Sequence, residues 1–255
     1  MEKCIITVGR EFCTGGYDIA EKVAQSMGVE VRRVGPDELG VFASIERQTA
    51  ERRHFEYRGE QYFRKFAKAF GDDVHFLVAQ INTQAYHDAM QRKRDDLQKL
   101  VDDLDAKLAQ RETTKLRRRH NEESNNLAAA TKRYEEAATL LEHGRFIPVA
   151  ASMFVTVPQE TVYLFSGSVE EYKPFYASAL IQYEAMLHLC VERGVPRYNF
   201  YGIDGVFDDP DSEGRGVLEF KQGFDGYVEE LPGEFMRVLR PAVYKLERLA
   251  HRIRG

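Results

Sequence analysis

Between Thr83 and His143 the chain carries neither proline nor glycine, and its apolar residues keep heptad spacing: Met90, Leu97, Val101, Leu104 and Leu108, then Leu127, Ala130, Tyr134, Ala137 and Leu141. Such a seam, set among Lys, Arg, Glu, Asp and Gln, predicts two helices that bury one stripe against each other as a coiled coil. The poorest helix formers near the midpoint are Thr113 and Thr114, which places the turn there. A chain that must return to its starting point needs the two helices antiparallel. At 1.5 Å per residue, helices of roughly 28 residues reach about 40 Å. That is too long to wrap a small core, so the hairpin is expected to project as an arm.

The flanks follow other periods. Cys4 to Val8 reads as a strand, followed by R-E-F-C-T-G-G and a helix near Tyr17 to Met27. Val29, Val31 and Val34 predict a strand, and Asp37 is the expected N-cap of a helix through about Arg53. A second helix spans Glu60 to Phe70 and is closed by Gly71; Val74, Phe76 and Val78 then alternate as a strand. After the arm, strands are expected at Ile147 to Val157 and Thr161 to Ser166, joined at Pro158-Gln159. An amphipathic helix from about Pro174 to Arg193 starts on proline and stops at Gly194. A strand Tyr198 to Tyr201, a short strand near Tyr227 to Leu231 and a last helix Pro241 to Arg254 complete the chain.

With the arm set aside, the order from Val29 is β-α-α-β, β-β-α-β, a short helix or strand, β. This is the order of the acyltransferase fold typified by N-acetyltransferases. The expected class is α+β: a GNAT-like mixed sheet with helices, interrupted by an antiparallel coiled-coil helical hairpin. The expected units are a strand, glycine loop and helix leader of separate origin over 1–28, the first part of the GNAT-like domain over 29–82, the arm over 83–144, and the second part of the domain over 145–255.

Composition narrows the partners. A length of 255 residues supports one large core or two small ones. A net charge of -5 gives no global attraction to nucleic acid, so any such contact must come from a local basic patch. Cys4, Cys13 and Cys190 are scattered without metal spacing, which fits a reduced, cytosolic setting. The apolar run Cys4 to Val8 is too short for a signal peptide or a membrane span. A cytosolic protein, or one bound at the inner membrane face, is expected.

Candidate chemistry concentrates between Pro196 and Tyr227. Polar and aromatic residues alternate from Arg197 to Tyr201, Gly202 and Gly205 force a loop, and an acidic excursion (Asp208, Asp209, Asp211, Glu213) follows. A short apolar run then ends in Phe220 and Lys221 before Gly223 and Gly226. A strand end, a loop and a lysine are thus close in sequence, as at the sheet edges where α/β folds place ligands. On residue type alone Lys221 reads equally as a surface lysine, Phe220 as core, Asp204 as a turn-stabilising residue, and Tyr198 and Tyr201 as strand side chains facing core and cleft.

The residues resemble the Fem family of non-ribosomal aminoacyl transferases. The resemblance runs from about Val29 to the C-terminus and rests on the order and spacing of four stretches. These are V-E-V-R-R-V-G-P-D-E-L with R-R-H-F-E-Y-R and Y-F-R-K-F-A-K-A-F-G-D-D-V; the inserted arm; L-F-S-G-S-V-E-E-Y-K-P-F-Y-A with L-I-Q-Y-E-A-M; and R-Y-N-F-Y-G-I-D-G with E-F-K-Q-G-F-D-G. Family members are similar in having two acyltransferase-like domains, and this chain matches the second. Its first 28 residues resemble instead the opening of cytidylate-kinase-like proteins, with Gly9, Gly15 and Gly16 as the loop, but no G-K-[ST] follows.

The resemblance implies transfer of an amino acid from aminoacyl-tRNA to the peptide of a lipid-linked or UDP-linked peptidoglycan precursor. The donor ester is already activated, so no cofactor is expected. It implies catalytic roles for Lys221, which would meet the developing oxyanion, for Phe220 beside the tRNA 3′ end, and for Asp204, which would orient the amine or accept its proton. Tyr198 and Tyr201 are expected to bind substrate. The alternative is a non-catalytic module whose arm grips tRNA or a protein. Around the arm tip stand Lys107, Arg111, Lys115, Arg117, Arg118, Arg119 and His120. Of these, Arg111, Lys115, Arg117, Arg118 and Arg119 are expected to contact tRNA phosphates, with a solvated tip or a protein-binding surface as the other reading. The last helix carries Arg237, Arg240, Lys245, Arg248, Arg252 and Arg254 opposite Val243, Leu246, Leu249 and Ile253, a pattern suited either to an anionic membrane surface or to packing on the domain. Two expectations stand for the first domain: a truncated form that lacks it, or a partner chain that supplies it.

Overall fold

The computed structural model describes residues 4–8, 22, 24, 26–230 and 237–246. The loop expected at Gly9, Gly15 and Gly16, most of the helix expected from Tyr17, Leu231, and the basic positions Arg248, Arg252 and Arg254 lie outside these residues.

One seven-stranded sheet organises the fold, in the order β2-β3-β4-β5-β6-β1-β7. The strands are β1 (Cys4–Val8), β2 (Val29–Val34), β3 (Val74–Asn82), β4 (Phe146–Val157), β5 (Glu160–Ser168), β6 (Tyr198–Ile203) and β7 (Tyr227–Glu230). The helices are α1 (Leu39–Arg53), α2 (Glu60–Phe70), α3 (Thr83–Gln110), α4 (Thr114–Glu142), α5 (Ala177–Ala185) and α6 (Arg215–Gln222). Every strand pairing is antiparallel except that of β5 with β6. The result is the mixed sheet with flanking helices that the element order predicts. β1 lies between β6 and β7 and is hydrogen-bonded to both.

Alternation along β3 explains the layering. Val74, Phe76 and Val78 face one helical layer, where Leu39, Phe42 and Ile45 of α1 and Phe63 of α2 pack. Leu77, Ala79 and Ile81 face the other, with Leu180, Ile181 and Met186. All eight residues from Val74 to Ile81 are buried, as a central strand covered on both faces requires. Phe42 meets Phe63 and Phe76 edge-on at 4.9 and 5.1 Å between ring centroids, the arrangement aromatic quadrupoles favour.

Two element boundaries differ from the sequence pattern. Asp37 does not cap α1: it lies in a 3-10 turn, Pro36–Glu38, whose first residue is proline, and the α-helix opens at Leu39. Pro174 lies inside another 3-10 turn, Glu170–Phe175; Tyr176 at φ 54 breaks the chain direction, and α5 begins only at Ala177. Toward its C-terminus α5 widens into a π-turn, Met186–Val191. Gly194, at φ 68, follows the helix as expected.

The arm leaves the sheet between the adjacent strands β3 and β4. Its base is pinned by Thr83, whose N–H donates to the Arg145 carbonyl at 3.1 Å and whose hydroxyl donates to the Gly144 carbonyl at 2.8 Å. The Asn82 side chain caps α3 by accepting from the Ala85 N–H at 3.1 Å. Tyr86, Met90 and Ala137, all near the base, belong to the main core. Farther out Val101, Leu104 and Ala130 are buried but belong to neither core cluster. The two helices cover these residues themselves, as a projecting hairpin must. The Arg94 guanidinium stands 4.1 Å over the Tyr134 ring, and His120 pairs with Asp105 at 2.8 Å across the outer half. The connection is short, and Thr113 caps α4 by accepting from the Leu116 N–H at 3.2 Å. Among the described residues no helix is long and apolar enough to cross a membrane.

Gly28 has φ 67, and its carbonyl accepts from the Asn82 N–H at 2.8 Å; a Cβ there would stand 2.8 Å from both the Asn82 carbonyl oxygen and the Tyr86 amide nitrogen. Gly28→Ala therefore combines left-handed strain with a backbone collision at the root of α3. It is expected to lower stability by about 2 kcal/mol or more, measured by urea denaturation.

Candidate active site where two strands part

β5 and β6 run parallel but pair only at Thr161–Tyr198 and Val162–Asn199. β5 continues to Ser168 and β6 to Ile203, so beyond this contact the strands part and their facing backbone groups leave the ladder. On its other side β6 pairs with β1 through a slip: Ile5 faces Gly202 and Thr7 faces Asn199, so that Phe200 and Tyr201 together oppose Ile6. This is a β-bulge, a device that re-aims side chains at sheet edges. Tyr201, inside the bulge, has φ 62 and is 51% exposed. A bulky residue in the left-handed region costs on the order of 1–3 kcal/mol. Asn199 holds it there, its Oδ1 accepting from the Tyr201 N–H at 2.8 Å.

Helix α6 delivers Lys221 to this place. Leu218, Lys221 and Phe224 are spaced by three, and all three are buried. Leu218 and Lys221 share a face of α6 and Phe224 follows in the turn that closes the helix, so a lysine sits between two core side chains. The Lys221 Nζ donates to the Gly202 carbonyl at 2.7 Å. Among the described residues no carboxylate lies within ion-pair distance of it. Removal from water lowers its pKa to about 8. With a pKa of about 8 it is mainly protonated at neutral pH, a cation whose described partner is a neutral carbonyl.

The other predicted residues fall into three groups. Phe220 is half-buried and packs edge-on against Phe224 at 5.1 Å, which in turn contacts Phe200 at 5.2 Å. Asp204 is exposed at the end of β6. One carboxylate oxygen accepts from the Val206 N–H at 3.2 Å, and the other lies so close to Gly214 that a Cβ there would be 1.9 Å away. Asp204 thus presses on the residue preceding α6, where a negative charge suits the helix dipole. Tyr198 is a correction to the substrate-binding expectation. It is 2% exposed, its ring packs against Phe154 and Phe200, and its hydroxyl donates to Gln182 Oε1, so it is a core residue. Tyr201, three residues on, is at the surface.

The structure therefore brings Lys221, Gly202, Tyr201 and Asp204 to one end of β6, with Phe220 beside them on α6. Sequence reasoning missed Asn199, Gly214 and the burial of Lys221. Only the stripe L-x-x-K-x-x-F signals the last of these, and a polar Asn inside an aromatic strand signals the first. Arg215 ties the acidic loop to α6, donating to the Phe207 carbonyl at 3.1 Å and to Glu219 at 2.7 Å.

At the far end of the arm, Arg117 pairs with Glu112 and Lys107 with Asp103. Arg111, Lys115, Arg118 and Arg119 are exposed and have no carboxylate at ion-pair distance among the described residues. These four join the exposed but paired Arg117 and Lys107 in a basic surface at the tip.

Comparison with known proteins places this geometry in context. The chain is 31% identical over 238 residues to an aminoacyltransferase FemA of Staphylococcus epidermidis strain RP62A, a match covering 91% of this chain and 56% of that protein. It is 31% identical over 228 residues to the aminoacyltransferase FemA of Staphylococcus aureus strain N315, covering 88% and 53%. The chain thus spans little more than half the length of these relatives. Among solved structures, one described as the crystal structure of FemX superposes with a TM-score of 0.72 at 22% identity, over 95% of this chain and 63% of that one. It shares the fold. Residues 19–252 match the FemAB family, a range that leaves β1 outside it. The chain belongs to the FemAB family.

Proposed function

We propose that this chain is the catalytic part of a cytoplasmic aminoacyltransferase that moves an amino acid from aminoacyl-tRNA to the peptide of a peptidoglycan precursor in interpeptide bridge synthesis. The observation that carries the reading is the buried Lys221 ammonium, held by a neutral carbonyl beside a strained tyrosine where two strands part, in a chain of this family. Attack of the acceptor amine on the ester carbonyl forms the C–N bond and puts negative charge on the carbonyl oxygen. The C–O bond to the tRNA ribose then breaks, and the amine proton ends on the leaving hydroxyl. A cation with no counter-ion among the described residues is free to strengthen its interaction as that charge develops, and poor hydration makes the gain large. Asp204 orients the amine or accepts its proton, Tyr201 contacts substrate, and Phe220 offers an apolar surface near the tRNA end.

In this reading the arm is a coiled coil whose Arg111, Lys115, Arg117, Arg118 and Arg119 neutralise tRNA phosphates far from the sheet. The exposed Leu239, Val243 and Leu246 near the C-terminus support an apolar contact with the inner membrane surface or a partner chain, which would bring a lipid-linked acceptor or complete its binding site. The exposed tip cations also support a second reading, a module that binds tRNA without transfer.

Incubation with charged tRNA and a precursor peptide separates the two. Lys221→Gln is expected to reduce transfer about 100- to 1,000-fold while leaving tRNA affinity nearly unchanged. Binding with no transfer by the unaltered chain, supplied with the remaining part of a relative, would support the module instead. The wild-type rate is expected to fall as pH rises through about 8, where Lys221 loses its proton. Charge reversal at Arg117, Arg118 and Arg119 is expected to abolish tRNA binding, and the wild-type affinity should fall steeply with salt.

Burial of Lys221 also makes a stability prediction. Its pKa is lowered in the folded state, so this residue's contribution to stability rises between pH about 8 and the unfolded value near 10.5, and is lost again as pH falls back through about 8. Lys221→Met is expected to abolish transfer yet raise stability near pH 7 by about 1–2 kcal/mol, after loss of the Gly202 hydrogen bond is set against relief of the buried charge. The variant should also lack that alkaline gain, read as the difference between the two denaturation profiles.

A further inference from the structure

On the opposite flank of the sheet a cavity of about 560 Å³ opens between β2, the start of β3 and the π-turn that follows α5. It lies three strand positions from β6, or about 14 Å at normal strand spacing. His75, only 1% exposed, contributes to its lining, and neither ring nitrogen has a hydrogen-bond partner among the described residues. Buried polar groups are normally satisfied, and the cost of leaving one unpaired makes an exception informative. Arg33 from β2 and Arg193 from the chain after the π-turn also line the cavity. Among the described residues neither has a carboxylate at ion-pair distance, and Arg33 is fixed by donating to the Val74 carbonyl at 3.0 Å.

The acidic groups nearby are largely committed. Glu184 and Glu192, which also line the cavity, both engage His188, at 2.9 Å to each ring nitrogen, and the Glu192 hydrogen bond, first among these contacts, raises the imidazole pKa. Arg32 pairs with Glu38 at 2.9 Å and also donates to Gln80. Burial, Arg33 and Arg193, in that order, lower the pKa of His75 to about 4, outweighing the opposing effect of Asp72. At neutral pH the ring is an uncharged donor under two guanidinium groups. A π-turn, which often marks a functional position in a helix, shapes the wall that carries His188 and leads to Arg193.

We propose that this cavity binds a small oxyanion, a phosphate or carboxylate group, which accepts a hydrogen bond from the His75 ring and is gripped by Arg193 and Arg33. Guanidinium groups match such oxyanions in shape and charge. The site is separate from Lys221 and does not depend on the reaction assigned to that residue.

The test is nuclear magnetic resonance of the full chain with labelled histidine, titrated with inorganic phosphate, with acetate and with chloride as an ionic-strength control. Phosphate or acetate is expected to shift the His75 ring signals saturably and to raise the pH at which that ring titrates above about 4. A response to phosphate alone identifies a phosphoryl ligand, and a response to acetate alone identifies a carboxylate. Arg193→Gln, an exposed position whose loss leaves the core intact, is expected to weaken binding about tenfold. His75→Phe serves to assign the signals; if it does not fold, Arg193→Gln still carries the test. The proposal is overturned if neither probe moves the His75 signals, if chloride moves them equally, or if Arg193→Gln binds as the wild type does.

Discussion

The arrangement at the end of β6 turns on one hydrogen bond, from the Lys221 ammonium to the Gly202 carbonyl. A charged amine withdrawn from water is costly unless paired with an opposite charge, and here the described partner is a neutral oxygen. The lysine stays in place because Leu218, one turn earlier on the helix, and Phe224, in the turn that follows it, are anchored in the main core. Geometry alone therefore holds it where solvation would not. The bulge at Phe200–Tyr201 and the left-handed Tyr201 fall within two residues of the accepting carbonyl. Three locally unfavourable features in so small a space are what a site organised for function looks like.

The surrounding fold supplies the stability that tolerates them. Two apolar layers grip the sheet, α1 and α2 on one face and α5 on the other, around strands β3 and β4 that are almost wholly buried. Away from this centre the sheet becomes permissive: β5 and β6 share only two residue pairs before they separate. The rigid half fixes the position of β5, and the looser half leaves room between strand ends. Asp204 against Gly214 and Arg215 against the Phe207 carbonyl then tether α6 to the loop it follows, so the loop helps set where the lysine stands.

Much of this was legible in the residues. The heptad seam and the proline- and glycine-free run specify the hairpin, and Thr113 ends up as the cap that starts α4. Gly71, Gly194 and the Pro158-Gln159 turn punctuate the elements where expected, because each acts through local backbone preferences. What the sequence did not disclose depends on distant partners. The short, mostly apolar run Cys4–Val8 announces a strand but not that it enters between β6 and β7. Tyr198 and Tyr201 stand three apart, so alternation already divides them between core and surface, but the bulge that sets Tyr201 at φ 62 depends on pairing with β1. The 3-10 turn around Pro174 and the π-turn after Ala185 shorten a helix whose periodicity runs on without a break. His75 reads as one more residue of an apolar strand, and only the two arginines that converge on it from separate elements set it apart.

The hairpin departs from one strand end and re-enters at the neighbouring one, roughly one interstrand spacing away, with Thr83 bonded across the gap to Gly144 and Arg145. To the sheet, sixty residues of helix are equivalent to a tight β-turn. Their length is consequently uncoupled from the fold: a heptad added to or removed from both helices would move the tip by about 10 Å and leave the strand register untouched. Reach thus behaves as an adjustable dimension, open to evolutionary or engineered change without renegotiating the architecture that carries it.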